Sequence, residues 1–423
     1  MFVDGRIVTA PPRDRLSPGP LGVRTHIPHR CFRGYTLFSP AFGSRAYLID
    51  MNGLVVHTWP ARHSQYAELL PNGDLLMDKY TGLIFEEGER GLEQLAPDGQ
   101  RVWNWEGPYH HDFHRLDKEA PGAPSASSAS ATSAAIACLI HRRDRVLPGF
   151  YAKGYEPEFM LSDVAIAIDR KGKVLWEFPF RAHIDKLRDL TGLPLPVRYM
   201  SRQGPETTER VVADWAHANT LEVLPETPVG QLDRRFRAGN ILFSLRSLDI
   251  IGVADLDLGE IVWAWGLGTL DGQHQPTMTP EGRILLFDNG TARGYSAVIE
   301  LDPSNSEEVW RYEDRAGFFS AYRSGVQRLP NGNTLITESD AGRIFEVTAE
   351  KQVVWDYHSP FLAEAAGGQG RHIYRATRYS EEQVAPLLAA RGEDRVVGVS
   401  TPNHTPLRTY SEMVRFYRDG LGG

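Results

Sequence analysis

The chain has 423 residues, 41% hydrophobic and 24% charged, which suits a globular protein with a sizeable core. A net charge of −8 without dense Lys/Arg runs argues against nucleic acid, and no apolar run is long enough to span a membrane as a helix. The opening MFVDGRIVTAPPRDRL shows no apolar signal segment, and the two cysteines, Cys31 and Cys138, make no disulfide framework, so a cytoplasmic setting is expected.

After an extension over 1–33, the predicted strands come in a repeating order. GYTLFSP, AYLIDMNG and LVVHTW (34–59) read as three strands, and AELLPNGDLLMDK (67–79) as two more around a Pro-Asn-Gly turn, where glycine supplies the positive φ of a tight hairpin. Short strands ending in an aromatic pair then recur as RVWNW, KVLWEF, EIVWAW, EEVWRY and QVVWDY. With LVVHTW they set a mark at His57, Trp103, Trp176, Trp263, Trp310 and Trp355, spaced 46, 73, 87, 47 and 45 residues apart. A period in the forties built from short strands and turns is the signature of a β-propeller blade, and the two long spacings fit one repeat plus an insertion.

The expected fold is therefore all-β, a six-bladed β-propeller over 34–380. Its ring is closed by pairing of N- and C-terminal strands, with RHIYRATRYS (371–380) serving the N-terminal blade. Residues 120–135 read as a low-complexity insertion and 181–213 as an excursion containing a short helix. A helical tail follows over 381–423, in SEEQVAPLLAARGED.

Side chains two apart on a strand share a face. Aligning the innermost strands on their Leu-Pro ends puts Gln65, His111, Asn219, His274, Ser324 and Tyr374 in one layer, and His63, Tyr109, His217, Gly272, Tyr322 and His372 in the next. Deeper positions (Ala67, Phe113, Leu221, Pro276, Val326 and Ala376) are mostly apolar, and a polar mouth over an apolar floor is the shape of a ligand site. By the same alternation His110, Asp112, His114 and Asp214 fall on the other face, though His110 competes with His111 for the site. His57 occupies a tryptophan slot and reads as packing, while His141 and His183 have no repeat support. Arg246, downstream of His217, offers a rigid fork for anionic oxygens. Thr337 lies in the corresponding strand of a later repeat, and Asn289, in LLFDNG, belongs to a turn that is either structural or substrate-facing.

The phrases GYTLF…LIDMNGLVVHTW, HHDF, DWAHAN, GQHQP…LLFDNG and YRSGVQRLPNGNTLITESDAGRIFEV together resemble the bacterial arylsulfate sulfotransferase family over roughly 34–380, in a compact form without an extra N-terminal domain. That resemblance implies a six-bladed propeller that moves a sulfuryl group from an aryl sulfate to a phenolic acceptor through a sulfated histidine, without a nucleotide donor or a metal. It implies His274 as nucleophile, with His217, Asn219, Arg246 and His111 completing the catalytic set. Tyr109, His110, Tyr322, Thr337, Tyr374, His372 and His63 are the expected substrate contacts.

Two other readings fit the same residues. Histidines converging from several blades suit a divalent transition metal, with His111, His217 and His274 as ligands of an oxidase, lyase or hydrolase. A non-catalytic propeller scaffold is the third reading.

Overall fold

A computed structural model describes residues 2–3, 6–7, 21–41, 43–80, 90–116, 135–151, 157–194, 214–365 and 368–390. The fold is all-β, a six-bladed β-propeller of six antiparallel sheets. The described residues of 107–321 form one compact unit, and those of 21–106 and 322–390 form another. Among the described residues no helix is long and apolar enough to cross a membrane.

The 107–321 unit holds three sheets, each with its strands side by side in chain order. The third sheet of the chain has Tyr109–Arg115, Ile136–Asp144, Met160–Ile168 and Val174–Pro179. The fourth has Ala218–Val223, Ile241–Leu245, Ile250–Asp255 and Glu260–Trp265. The fifth has His274–Met278, Ile284–Asp288, Ala297–Asp302 and Glu307–Glu313. One apolar cluster, including Phe150, Phe178, Phe180, Trp215 and Phe243, joins the third and fourth sheets. Another, with Phe236, Trp263, Ile284 and Leu286, joins the fourth and fifth. Each such side chain contributes about 1.5–3 kcal/mol by leaving water.

The expected helix within 181–213 is present as Ile184–Thr191. It buries Ile184 and Leu187, three apart and so on one face, and stops at Gly192, whose φ of 74° forms a left-handed cap. Residues 195–213 of that excursion, and 120–134 of the other insertion, lie outside the described residues.

In the second unit, the first sheet runs Ile373–Tyr379, Tyr35–Pro40, Gly43–Ile49, Val55–Ser64. The C-terminal strand thus pairs with an N-terminal one, Ala376 opposite Phe38 and Tyr379 opposite Tyr35. The second sheet runs Ala67–Leu69, Leu75–Tyr80, Arg90–Leu95, Arg101–Glu106. The sixth runs Gly325–Arg328, Thr334–Glu338, Arg343–Val347, Val353–His358. It carries a fifth strand, Gly22–His26, from the segment expected to be only an extension. That strand pairs the edge of Val353–His358, whose N–H and C=O groups would otherwise face solvent. Of the expected helical tail, Glu381–Ala390 is a helix that buries Val384 and Leu387, and the remainder lies outside the described residues.

The repeat read from the sequence has a structural meaning. In each of the six blade sheets the register between the third and fourth strands slips beside the marked residue: Leu48 pairs with His57 but Ile49 with Val55, and Glu346 pairs with Trp355 but Val347 with Val353. The same slip accompanies Trp103, Trp176, Trp263 and Trp310. A bulge of one residue bends and twists a strand. His57 packs there edge-on against Trp59, with ring centroids 4.2 Å apart.

Candidate active site

The leading strands of the 107–321 unit are irregular where the site residues lie. Register is interrupted between Tyr109 and Phe113, between Ala218 and Thr220, and between His274 and Thr277. His111 and His217 have φ of 58° and 50°, in the left-handed region that side chains other than glycine rarely adopt. Alternation therefore fails at these points, and residues assigned to opposite faces meet.

His274 opens the fifth sheet and is buried. Its Nδ1 lies 3.0 Å from the Gly272 carbonyl and 2.7 Å from Oδ1 of Asn289. The Asn289 amide is oriented in turn by Nδ2, which donates to the Ser320 carbonyl at 2.8 Å. Both neighbours of Nδ1 are acceptors, so Nδ1 carries the proton and, in the neutral ring, Nε2 carries the lone pair.

His217 stands just ahead of Ala218–Val223, with Nδ1 2.5 Å from Oδ2 of Asp214. Burial would raise the Asp214 carboxyl, but the charge and hydrogen bond of His217, with His141 and Arg246, pull it below the usual carboxylate range. An ionised Asp214 accepts from Nδ1–H and leaves Nε2 of His217 to exchange a proton, the division of labour found in carboxylate–histidine pairs. Arg246 begins a short 3-10 turn after Ile241–Leu245 and is buried, and its backbone N–H donates to the His217 carbonyl at 3.2 Å.

His111 packs edge-on against His217, with centroids 4.6 Å apart and planes at 68°. Burial holds its pKa well below the ordinary imidazole value, and His217, His110, His141 and His274 add to the effect, so His111 is neutral. Its Nδ1 is 2.9 Å from Nδ1 of His110. Asn219 is buried with its amide engaged in the fold: Nδ2 donates to the Gln273 carbonyl at 2.9 Å, and Oδ1 accepts from the Thr220 hydroxyl at 3.2 Å. It ties the leading strand of the fourth sheet to the residue before His274. Tyr109 and His110 are fully buried.

The other five expected contacts belong to the second unit. His63, with φ of 54°, lies on the outermost strand of the first sheet rather than on a leading strand. The cause is Asp78: its Oδ1 accepts from the Ser64 hydroxyl and from the N–H groups of Gln65 and Tyr66, so the second sheet's leading strand starts only at Ala67. Thr337 is buried, and its hydroxyl accepts the Ala376 N–H at 3.1 Å. Tyr374 is buried beneath the Arg375 guanidinium. His372 is half-buried, with Nδ1 3.5 Å from Asp340 Oδ1, and Tyr322 is half-buried ahead of Gly325–Arg328.

A family model for arylsulfotransferase (ASST) matches residues 147–360, just over half of the chain. The chain belongs to the arylsulfotransferase family. Membership brings, in general terms, an aryl sulfate donor and a phenol acceptor. No curated protein sequence matches the chain.

Among solved structures, a protein of unknown function from Bacteroides caccae is 14% identical at a TM-score of 0.48, covering 82% of this chain and 98% of its own. Virginiamycin B lyase from Staphylococcus aureus is 10% identical at a TM-score of 0.39, covering 81% of this chain and 85% of its own. AztD from Citrobacter koseri is 10% identical at a TM-score of 0.39, covering 82% and 99%. At TM-scores below 0.5 these mark a loose likeness only.

Two residues of this arylsulfotransferase-family protein's candidate site escape a reading by alternation. Asp214 was expected on the opposite face from His217, yet the turn at His217 brings the two together. Asn289 sits one residue past the end of Ile284–Asp288 and acts through His274. Its place in the repeat, at the mouth of the second strand of the blade that carries His274, is the signal available in the sequence.

Proposed function

We propose that the chain transfers a sulfuryl group from an aryl sulfate to a phenolic acceptor through a sulfohistidine at His274. The lone pair of His274 Nε2 attacks sulfur and the bond from sulfur to the aryl oxygen breaks. The departing phenolate, whose conjugate acid has a pKa of about 10, takes a proton from Nε2 of His217. An acceptor phenol then attacks the sulfur of sulfo-His274 as its own proton is removed, and the bond from Nε2 to sulfur breaks. The covalent intermediate divides one difficult transfer into two easier ones.

The observation that carries this reading is the fixed tautomer of His274, held by Asn289 and Gly272 with the Asn289 amide locked by Ser320. In the neutral ring it leaves the lone pair on Nε2, and it lets Nδ1–H stay hydrogen-bonded while the ring bears the sulfuryl group. Arg246 supplies a buried cation beside His217 for the sulfuryl oxygens. Asn219 acts by positioning the strand of His274 through Gln273.

The test is intact-protein mass spectrometry after mixing with an activated aryl sulfate. One added sulfuryl group, absent in His274→Ala, is the expected result. Neither adduct nor phenol release across a panel of aryl sulfates would sink the reading.

A further inference from the structure

The proposed acid, His217, and the proposed nucleophile, His274, stand on different blades, and a run of hydrogen bonds joins them. The His217 carbonyl accepts from the Arg246 N–H at 3.2 Å, and the Ala216 carbonyl accepts from the Ser247 N–H at 3.0 Å. The short turn Arg246–Leu248 is thereby fastened to the segment that carries His217. The turn closes at Asp249, whose N–H donates to the Arg246 carbonyl at 3.3 Å. From there the run crosses to the residues that lead into the fifth sheet: Oδ1 of Asp249 accepts from the Gly272 N–H at 2.7 Å. The Gly272 carbonyl, 3.0 Å from His274 Nδ1, accepts the imidazole proton that sets the tautomer.

Asp249 meets two demands at once. Its backbone has φ of 57° and ψ of 38°, the left-handed region, where a β-carbon crowds the following carbonyl oxygen. Aspartate and asparagine tolerate that conformation best among residues other than glycine, and they carry an acceptor oxygen on a short stem. Glycine at this position would ease the backbone and lose the oxygen. Gly272 has a φ of 77° of its own, so the direction of its carbonyl is one that a larger residue would not readily give.

We propose that Asp249 is a positioning residue for the transfer: it holds the Gly272 carbonyl on His274 Nδ1 and keeps His274 in register with His217 and Arg246. This rests on the transfer reading given above. The residues on either side of Gly272 are tied as well. The Asp271 N–H donates to Asp288 Oδ1 at 2.8 Å, and Gln273 Nε2 donates to Ser244 Oγ and to the Ile250 carbonyl, each at 3.0 Å. Those ties fix where the segment lies, and Asp249 acts on the peptide between them. Attack at sulfur needs the nucleophile in line with the leaving oxygen and the acid beside that oxygen. A misplacement of about 1 Å can cost about 100-fold in rate, so a link between the two blades matters more to the chemistry than to stability.

The test compares Asp249→Gly, which keeps the left-handed turn and removes the oxygen, with Asp249→Asn, which keeps both. Rapid-quench measurement of phenol release from an activated aryl sulfate gives two quantities. The burst amplitude counts competent protein, and the burst rate constant reads the geometry at His274. Asp249→Gly should lower the rate constant by about 10-fold or more at saturating donor, and Asp249→Asn should recover most of it. In the resting full-length protein, 1H–15N NMR should show His274 Nδ1–H exchanging with solvent about 10-fold faster in Asp249→Gly than in wild type. A fall in amplitude at an unchanged rate constant means that Asp249 merely supports folding, and overturns the proposal. So does an equal loss in both variants, or an unchanged exchange rate. If wild-type protein releases no phenol from any aryl sulfate, the transfer reading fails, and the exchange measurement by itself decides whether Asp249 holds His274.

Discussion

The side-chain carbonyl of Asn289 lies 2.7 Å from Nδ1 of His274, and the Asn289 amide is itself turned by the Ser320 carbonyl. Asn289→Ala removes one of the two acceptors that keep the Nδ1–H tautomer. Loss of such a buried hydrogen bond costs about 1–3 kcal/mol, so sulfation of His274 should slow by about 5- to 150-fold. Rapid-quench measurement of the phenol burst checks this, and a burst at the wild-type rate would refute the role given to Asn289.

Asp214 accepts the Nδ1 proton of His217 in a hydrogen bond. Its carboxyl is held below the usual range and so remains ionised at neutral pH. Asp214→Asn should reduce turnover by about 100-fold or more where the leaving phenol is a weak acid, the size of a general-acid contribution. With a nitro-substituted phenol, which leaves readily unprotonated, the loss should be much smaller. Equal losses across a series of leaving groups would show that Asp214 merely holds the fold.

Asp78 makes stability depend on pH. Burial raises its pKa from 3.8 to about 7, against the opposing hydrogen bonds from Tyr66, Ser64 and Gln65. The folded state then keeps a proton that the unfolded chain loses above 3.8, so this group's stabilisation falls as pH rises through that window and levels off past about 7. The change is up to about 4 kcal/mol. Denaturation midpoints of wild type and Asp78→Asn, compared between pH 4 and 8, should show the slope flattened in the variant.

Arg378 and Glu346 are both fully buried. The guanidinium donates to Thr36 Oγ1 at 2.7 Å and to the Phe32 carbonyl at 2.8 Å, while Glu346 accepts from the Phe32 N–H and from Asn333 Nδ2, each at 2.7 Å. Arg378→Met strands the carboxylate and should cost about 3–5 kcal/mol. Adding Glu346→Gln should recover part of that loss, measured by chemical denaturation.

Much of the fold was legible because it repeats. The aromatic marks from His57 to Trp355 and the Pro-x-Gly turns each report a local requirement, and six copies make the period visible. The site was legible in its residue types but less so in its geometry. Counting by twos requires an uninterrupted strand, and the leading strands bulge or turn left-handed where the histidines sit. Asp214 and His110 were therefore assigned away from partners they touch. His63 was placed on a leading strand because nothing in HSQYAELLP announces that Asp78, thirteen residues beyond Gln65, gathers the turn. The strand Gly22–His26 was missed because it has no counterpart in the other five repeats.

The left-handed backbone at His111 and His217 bears on any effort to make this protein more robust. Glycine takes that conformation freely, whereas a side chain there stores about 1–3 kcal/mol of strain. A search guided by thermal tolerance alone would drift toward glycine at both positions and return a sturdier, inert molecule. Two of the nine described non-glycine residues with positive φ thus lie in the candidate site, so selection for stability here must be coupled to an assay for the proposed sulfuryl transfer.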